Sequence, residues 1–252
     1  MLDLSLLDNP IENIFVLRKW NWDYLEAQSF QLECVDYVYK NPHVTILIIC
    51  SHPHCFTLGR GLQKLKDTTQ IELVDFDSTY PLSYPLYQIK RGGGLTFHYP
   101  GQFVLYPIMN LTIHKKAVFD VMIKIMEVTK ALIEKQFDLK SLVIKRDLLG
   151  LWFEDTFVKA KVASIGLAVT RYNTYHGLAL NFFNDQKMFQ ELSHLHPCGL
   201  SGLLYKDLES LKLENFSLLK RDEFADDFLL NILNYLIIDK QRSSSLISDS
   251  IS

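Results

Sequence analysis

KVASIGLAVTRYNTYHGLALNF, residues 161–182, decides the fold class of this chain. Val162 to Thr170 and Thr174 to Phe182 are rich in β-branched and apolar residues and read as two strands joined by a short polar turn. Gly166 sits inside the first strand, where glycine weakens a ladder and marks a bulge or a close approach of another backbone. In the second, His176-Gly177-Leu178-Ala179-Leu180-Asn181 again puts small residues where bulky ones are expected. Two neighbouring strands thinned by glycine would leave a slot for a linear apolar chain. Leu148 to Glu154 (LLGLWFE) reads as a third strand, and the three form a meander.

Further out, helices and strands interleave without a regular βαβ period. Trp22 to Lys40 carries Tyr24, Ala27, Cys34, Val35 and Val38 on one helical face. VTILIIC, Val44 to Cys50, is a buried strand. Asp67 to Pro85 shows no periodicity, and Leu86 to Lys90 is a short strand. Phe103 to Leu111 is a second apolar run, in which Pro107 argues for an edge strand or a break. Ala117 to Phe137 is the clearest amphipathic helix, with Val118, Val121, Met122, Ile125, Val128, Leu132 and Ile133 in one stripe. A last helix runs around Phe224 to Ile237. The layout is α+β. Residues 1–242 are expected to form one domain, and the tail SSSLISDSIS, 243–252, to be disordered.

The chain has 252 residues, 48% of them hydrophobic, and a formal net charge of −3. That is enough for one sizeable core. It lacks the basic excess of a nucleic-acid binder. No stretch approaches the roughly 20 apolar residues of a membrane span, and the first residues lack the pattern of a secretory signal. Cys34, Cys50, Cys55 and Cys198 are scattered, as in a cytoplasmic protein with free thiols.

Three segments could carry chemistry. RGGGLTFHYPGQ, residues 91–102, has three consecutive glycines whose backbone can approach a ligand, with Arg91, Thr96 and His98 around it. Its spacing matches neither a P-loop nor a dinucleotide fingerprint, and a plain turn between strands is the alternative. Pro100-Gly101 fits the centre of a type II turn. Lys161 opens the first glycine-thinned strand, where an ordinary lysine would be solvated. Cys198 lies in Pro197-Cys198-Gly199, a setting for a tight turn rather than a core. A reactive thiol needs a nearby cation or base, for which Lys161, His194 and His196 compete. His52, His54 and Cys55, with Cys50 before them, lack the paired spacing of a zinc site and read as a structural loop. No metal or cofactor is expected.

In order and spacing, RGGGLTFHYPGQFVLYPI, KVASIGLAVTRYNTYHGLALNF and HPCGL resemble the signature of the lipoyl(octanoyl) transferases. SHPHCFTLGRG, residues 51–61, is similar to the family's N-terminal motif, and the resemblance runs from about Ile14 to about Leu208. It implies a mixed-sheet platform with packed helices, like the catalytic domain of biotin and lipoate protein ligases. It implies transfer of an octanoyl group from acyl carrier protein to a lysine of lipoyl domains, those of 2-oxoacid dehydrogenase complexes and the glycine cleavage H protein. Cys198 would be the acyl-thioester nucleophile and Lys161 the group that lowers its pKa. Arg91, Gly92, Gly93, Gly94, Leu95, Thr96, Phe97 and His98 would line the acyl substrate, with Ser164, Ile165, Gly166, Gly177, Leu178 and Ala179. Tyr99 departs from the family's His-Gly-Pro-Gly, and a positive φ there would strain it. An ATP-dependent ligase on the same fold and a non-catalytic acyl- or partner-binding module are the rival readings. Acidic partners would need a local basic patch, for which Lys90, Arg91, Lys115, Lys116, Lys145, Arg146, Lys159 and Arg171 are the candidates.

Overall fold

Alternation along the central strands sorts the core into two layers. The computed structural model describes residues 2–60, 81–197, 200–212 and 216–248, with side chains as far as residue 235. In β3 (Thr45–Cys50) and β7 (Gln102–Ile108) every residue is buried. Leu47, Ile49, Phe103 and Leu105 join one apolar cluster, while Ile46, Ile48, Val104, Tyr106 and Ile108 join another. Helices α2 (Val118–Phe137) and α5 (Leu218–Ser248) cover the first face with Ile125, Leu132, Phe224 and Phe228. Helix α1 (Tyr24–Lys40) covers the second with Ala27, Cys34, Val35 and Val38. Asp23 starts α1 by accepting from the Leu25 and Glu26 N–H groups, which would otherwise lack partners.

The platform continues with β1 (Asp8–Ile11), β2 (Ile14–Lys19), β8 (Leu142–Lys145), β9 (Gly150–Glu154), β10 (Lys159–Thr170) and β11 (Asn173–Asn181). Its order is β1-β2-β3-β7-β11-β10-β9-β8, and only β2 and β3 pair in parallel. The expected meander is β9-β10-β11, extended by β8. A second sheet holds β4 (Cys55–Leu58), β5 (Leu86–Gln88) and β6 (Leu95–His98) in the order β5-β4-β6. Helix α3 (Gln186–Ser193) packs on it through Met188 and Leu192, and α4 (Leu208–Lys212) precedes α5. Helix α5 continues past residue 242, and residues 249–252 of the expected tail lie outside the described residues.

Pro107 corrects the sequence reading. β7 is a central strand, between β3 and β11, and Pro107 pairs with Leu47. The ladder between β7 and β11 runs from Asn181–Gln102 to Leu178–Leu105 and stops there. Continued, it would set His176 opposite Pro107. Instead His176 takes φ 57 and gives its N–H to Gln31 Oε1 at 2.9 Å. A proline, which has no N–H, is tolerated inside this sheet because its partner strand bulges away.

Candidate active site

A cleft of about 760 Å³, including its open mouth, separates the α1 face of the large sheet from the small sheet. Arg91, Gly93, Thr96, His98, Lys161, Ser164, Ile165, Gly166, Gly177, Leu178 and Ala179 all line it. Eleven of the residues expected at the site therefore share one surface, although they come from three stretches of chain. Leu95 and Phe97 point the other way, into the core beneath α3, as alternation along β6 requires.

Gly166 and Gly177 are cross-strand partners. A Cβ on Gly166 would stand 2.7 Å from Gly92 O, so the glycine loop rests directly on β10. A Cβ on Gly177 would stand 2.0 Å from Leu105 O, so it is the neighbouring strand, rather than the slot alone, that demands glycine there. Within the loop, Gly93 carries φ 78, the left-handed conformation expected of the run. Gly101 does not take the positive φ of a type II turn, although Gln102 N–H closes the turn onto Tyr99 O at 3.1 Å. Tyr99 is likewise unstrained. It is fully buried, and its hydroxyl donates to Phe183 O at 3.0 Å.

Arg91 anchors the loop from inside. Its guanidinium donates to Gly92 O, Thr57 O, Thr57 Oγ1 and Thr96 Oγ1. From Thr57 a buried chain continues through His98 Nε2 at 3.2 Å and His98 Nδ1 to Gln102 Oε1 at 2.9 Å. Gln102 Nε2 donates to Asn181 Oδ1, and Asn181 Nδ2 donates to Lys206 O. This network joins the glycine loop to the segment that follows Cys198.

Lys161 is 2% exposed despite its charge. Its Nζ donates to Leu148 O at 3.1 Å, and the rings of Trp152 and Tyr205 stand 5.8 and 5.7 Å away. Gly150 leaves space for its stem, since a Cβ there would meet Lys161 Cε at 2.5 Å. Cys198 and Gly199 lie outside the described residues, but their neighbours do not. Leu200 N–H donates to Pro197 O at 3.1 Å, and Leu200 lines the same cleft as Lys161. Tyr205 hydroxyl also donates to Pro197 O, and Lys206 N–H to Lys161 O. His194 and His196 are exposed, and neither lines the cleft.

Residues 23–227 match the family described as the lipoyl protein ligase A/B catalytic domain. An octanoyltransferase of Nostoc sp. is 30% identical over 89% of this chain and 96% of its own length. The chain belongs to the octanoyltransferases of this family. The fold is also that of lipoate-protein ligase A bound with ATP (TM-score 0.56, 11% identity, 87% of this chain and 85% of that one). Biotin protein ligase of Aquifex aeolicus in complex with biotin and ATP is similar (TM-score 0.50, 10% identity, 90% and 71%). The expected α+β platform is therefore present, and the chain is an acyltransferase.

The octanoyltransferase cleft also holds residues that sequence reasoning did not place there. Tyr24, Val104, Tyr106, Asp147, Leu148, Leu149 and His176 line it too. Two of the histidines around its floor are fully engaged. His52 meets Trp22 O at 2.8 Å and the Tyr106 hydroxyl at 2.7 Å, and His98 is held by Thr57 and Gln102. Among the described residues no cluster of three His, Cys, Asp or Glu could hold a metal. Of the proposed basic patch, Arg91 is buried, Arg171 pairs with Asp36, and Lys145 and Lys159 pair with Glu154. No helix among the described residues is long and apolar enough to cross a membrane.

Burial keeps the floor histidines neutral. It lowers His52 to about 4 and, with the Arg91 charge, His176 to about 3, and it takes His98 well below its usual range. An unfolded histidine takes up its proton near pH 6.5. Below that pH the unfolded chain binds protons that the fold refuses, so stability falls as pH drops, by about 1.4 kcal/mol per unit for each such histidine. Urea midpoints are expected to be steady above about pH 7 and to fall steeply between about pH 6 and pH 4.5. A flat midpoint down to about pH 5 would contradict the neutral cluster.

Proposed function

We propose that the chain moves an octanoyl group from octanoyl-acyl carrier protein to a lysine of a lipoyl domain through a thioester on Cys198. The observation that carries this reading is the cleft itself. Lys161, which is buried, and Leu200, two residues beyond Cys198, both line it.

In the first half-reaction Lys161 takes the Cys198 proton or holds the thiolate as an ion pair. The thiolate attacks the acyl thioester, a new C–S bond forms, and the carrier leaves as a thiol, taking back the proton. Exchange of one thioester for another is nearly neutral in energy, so ATP is not needed. In the second half the acceptor amine attacks, the amide forms and Cys198 leaves as a thiolate. Lys161 then receives the proton the amine sheds. Two half-reactions through one covalent enzyme give ping-pong kinetics. Arg91 to Gly94, Thr96 and His98 form one wall for the acyl chain, and Ser164 to Gly166 with Gly177 to Ala179 the other. Backbone N–H groups of Cys198 and Gly199 or of the glycine loop would hold the oxyanion. The acceptors are lipoyl domains of 2-oxoacid dehydrogenase complexes and the glycine cleavage H protein, and a reducing cytoplasm keeps the thiol competent.

The fold alone does not separate this reading from ATP-dependent ligation, since lipoate-protein ligase A shares it. Intact-mass measurement does. Octanoyl-carrier protein without ATP is expected to leave one octanoyl group on the chain, mapping to Cys198 and discharging onto a lipoyl domain. No adduct, an adduct elsewhere, or transfer that requires ATP would overturn the reading.

A further inference from the structure

The polar groups at the cleft's far end differ in one respect. Both ring nitrogens of His52 and of His98 are engaged. The imidazole of His176 makes no hydrogen bond among the described residues. Its Nε2 is sealed from solvent without a partner, and the residue, 2% exposed, is among those that line the cleft. A buried polar group without a partner costs about 1–3 kcal/mol, and native folds hold few of them. The backbone is also set specially, for His176 takes φ 57 opposite Pro107 and its N–H goes to Gln31. The Nε2 of Gln31 is itself buried and unpartnered.

His176 stands at the right distance to meet the tail of a bound chain. The Lys161 ammonium reaches the level of Gly150, which pairs with Ser164, whereas His176 pairs with Leu167. Those levels are three residues apart along β10, about 10 Å at strand rise. An extended chain of about eight carbons covers a similar length.

Resting on the proposed acyl transfer, we infer that His176 forms a distal subsite for a hydrogen-bonding group at the end of the acyl chain, so that the cleft takes medium-length acyl groups with an oxygen at the terminal carbon. A neutral imidazole offers a donor on one ring nitrogen and an acceptor on the other, and a terminal hydroxyl can bond with either. A wholly apolar pocket would instead force that hydroxyl to be buried unpaired.

The test compares octanoyl and ω-hydroxyoctanoyl groups on the same carrier protein, reading the rate of acyl loading by intact mass. The wild type is expected to load the two at rates within about threefold of each other. His176→Leu is expected to lower the ratio of ω-hydroxyoctanoyl to octanoyl rates about tenfold, and His176→Gln, which keeps a donor and an acceptor, to restore part of it. Wild-type rejection of the hydroxylated chain by tenfold or more overturns the inference, and so does a ratio that His176→Leu leaves unmoved. The wild-type comparison decides the matter even if the variants do not fold. Failure to load octanoate at all would instead strike the acyl-transfer reading. Calorimetry with free octanoic and ω-hydroxyoctanoic acids then still reads the subsite, and weaker binding of the hydroxy acid by tenfold or more counts against it.

Discussion

Cys198→Ala is expected to abolish acyl loading, and Lys161→Met to slow it about a thousandfold, with both variants folded. The first removes the only atom that can form the thioester in the proposed scheme. The second removes a proton acceptor, a role typically worth 10²–10⁴ in rate. Methionine matches the unbranched lysine stem that runs past Gly150, so the space is filled. Removing a charge that is 2% exposed also relieves its desolvation, so the fold is not expected to suffer. Among the described residues, the bond lost is the one that Nζ donates to Leu148 O. Lys161→Arg keeps the charge but holds its proton too tightly to exchange it. Single-turnover loading, followed by mass, separates these effects, and thermal melting reports the fold. Loading by Lys161→Met within tenfold of the wild type would remove Lys161 from the mechanism.

Helices α1, α2 and α5 and the meander were legible because they are strongly periodic, whereas α3 and α4, of eight and five residues, were not read. Tyr24, Ala27, Cys34, Val35 and Val38 all turn inward from α1 as their spacing requires. Of the small sheet only β5 was legible, and its other two strands were not. Cys55–Leu58 and Leu95–His98 are four residues each and sit beside histidines, prolines and glycines that signal loops. Their partners are distant in sequence, so the pairing of Phe56 with Phe97 leaves no local trace. Pro107 failed for the opposite reason. A sound local rule met a bulge at His176, some seventy residues away, that satisfied it from outside. The walls of the cleft were readable as motifs because glycine and buried lysine are costly where they stand. Its floor is built of ordinary core types, Tyr24, Val104 and Tyr106, brought together only by packing.

Gly177→Ala and Gly166→Ala are expected to fail in different ways, although the two residues face each other across the hairpin. At Gly177 the new methyl would stand 2.0 Å from Leu105 O and 3.0 Å from Pro107 Cδ. Both belong to the central strand, which is fully buried and held on its other side by β3. Neither can withdraw without breaking the sheet. The expected cost is about 3 kcal/mol or more, a fall in melting temperature of about 10 °C. At Gly166 the methyl would stand 2.7 Å from Gly92 O. That carbonyl belongs to a loop, tied to β10 by one long bond, Gly92 N–H to Leu167 O at 3.4 Å. The loop can lift, so stability is expected to fall by only about 1 kcal/mol. Lifting it, however, pulls on Arg91, which donates to Gly92 O and holds Thr57 and Thr96. Displacing a wall of the cleft by a fraction of an ångström is expected to slow acyl loading about tenfold to a hundredfold. Melting curves and loading rates on the two variants test this split. Equal destabilisation would mean that the glycine loop is as rigid as the central strand. Unchanged loading by Gly166→Ala would mean that the loop does not touch the acyl chain.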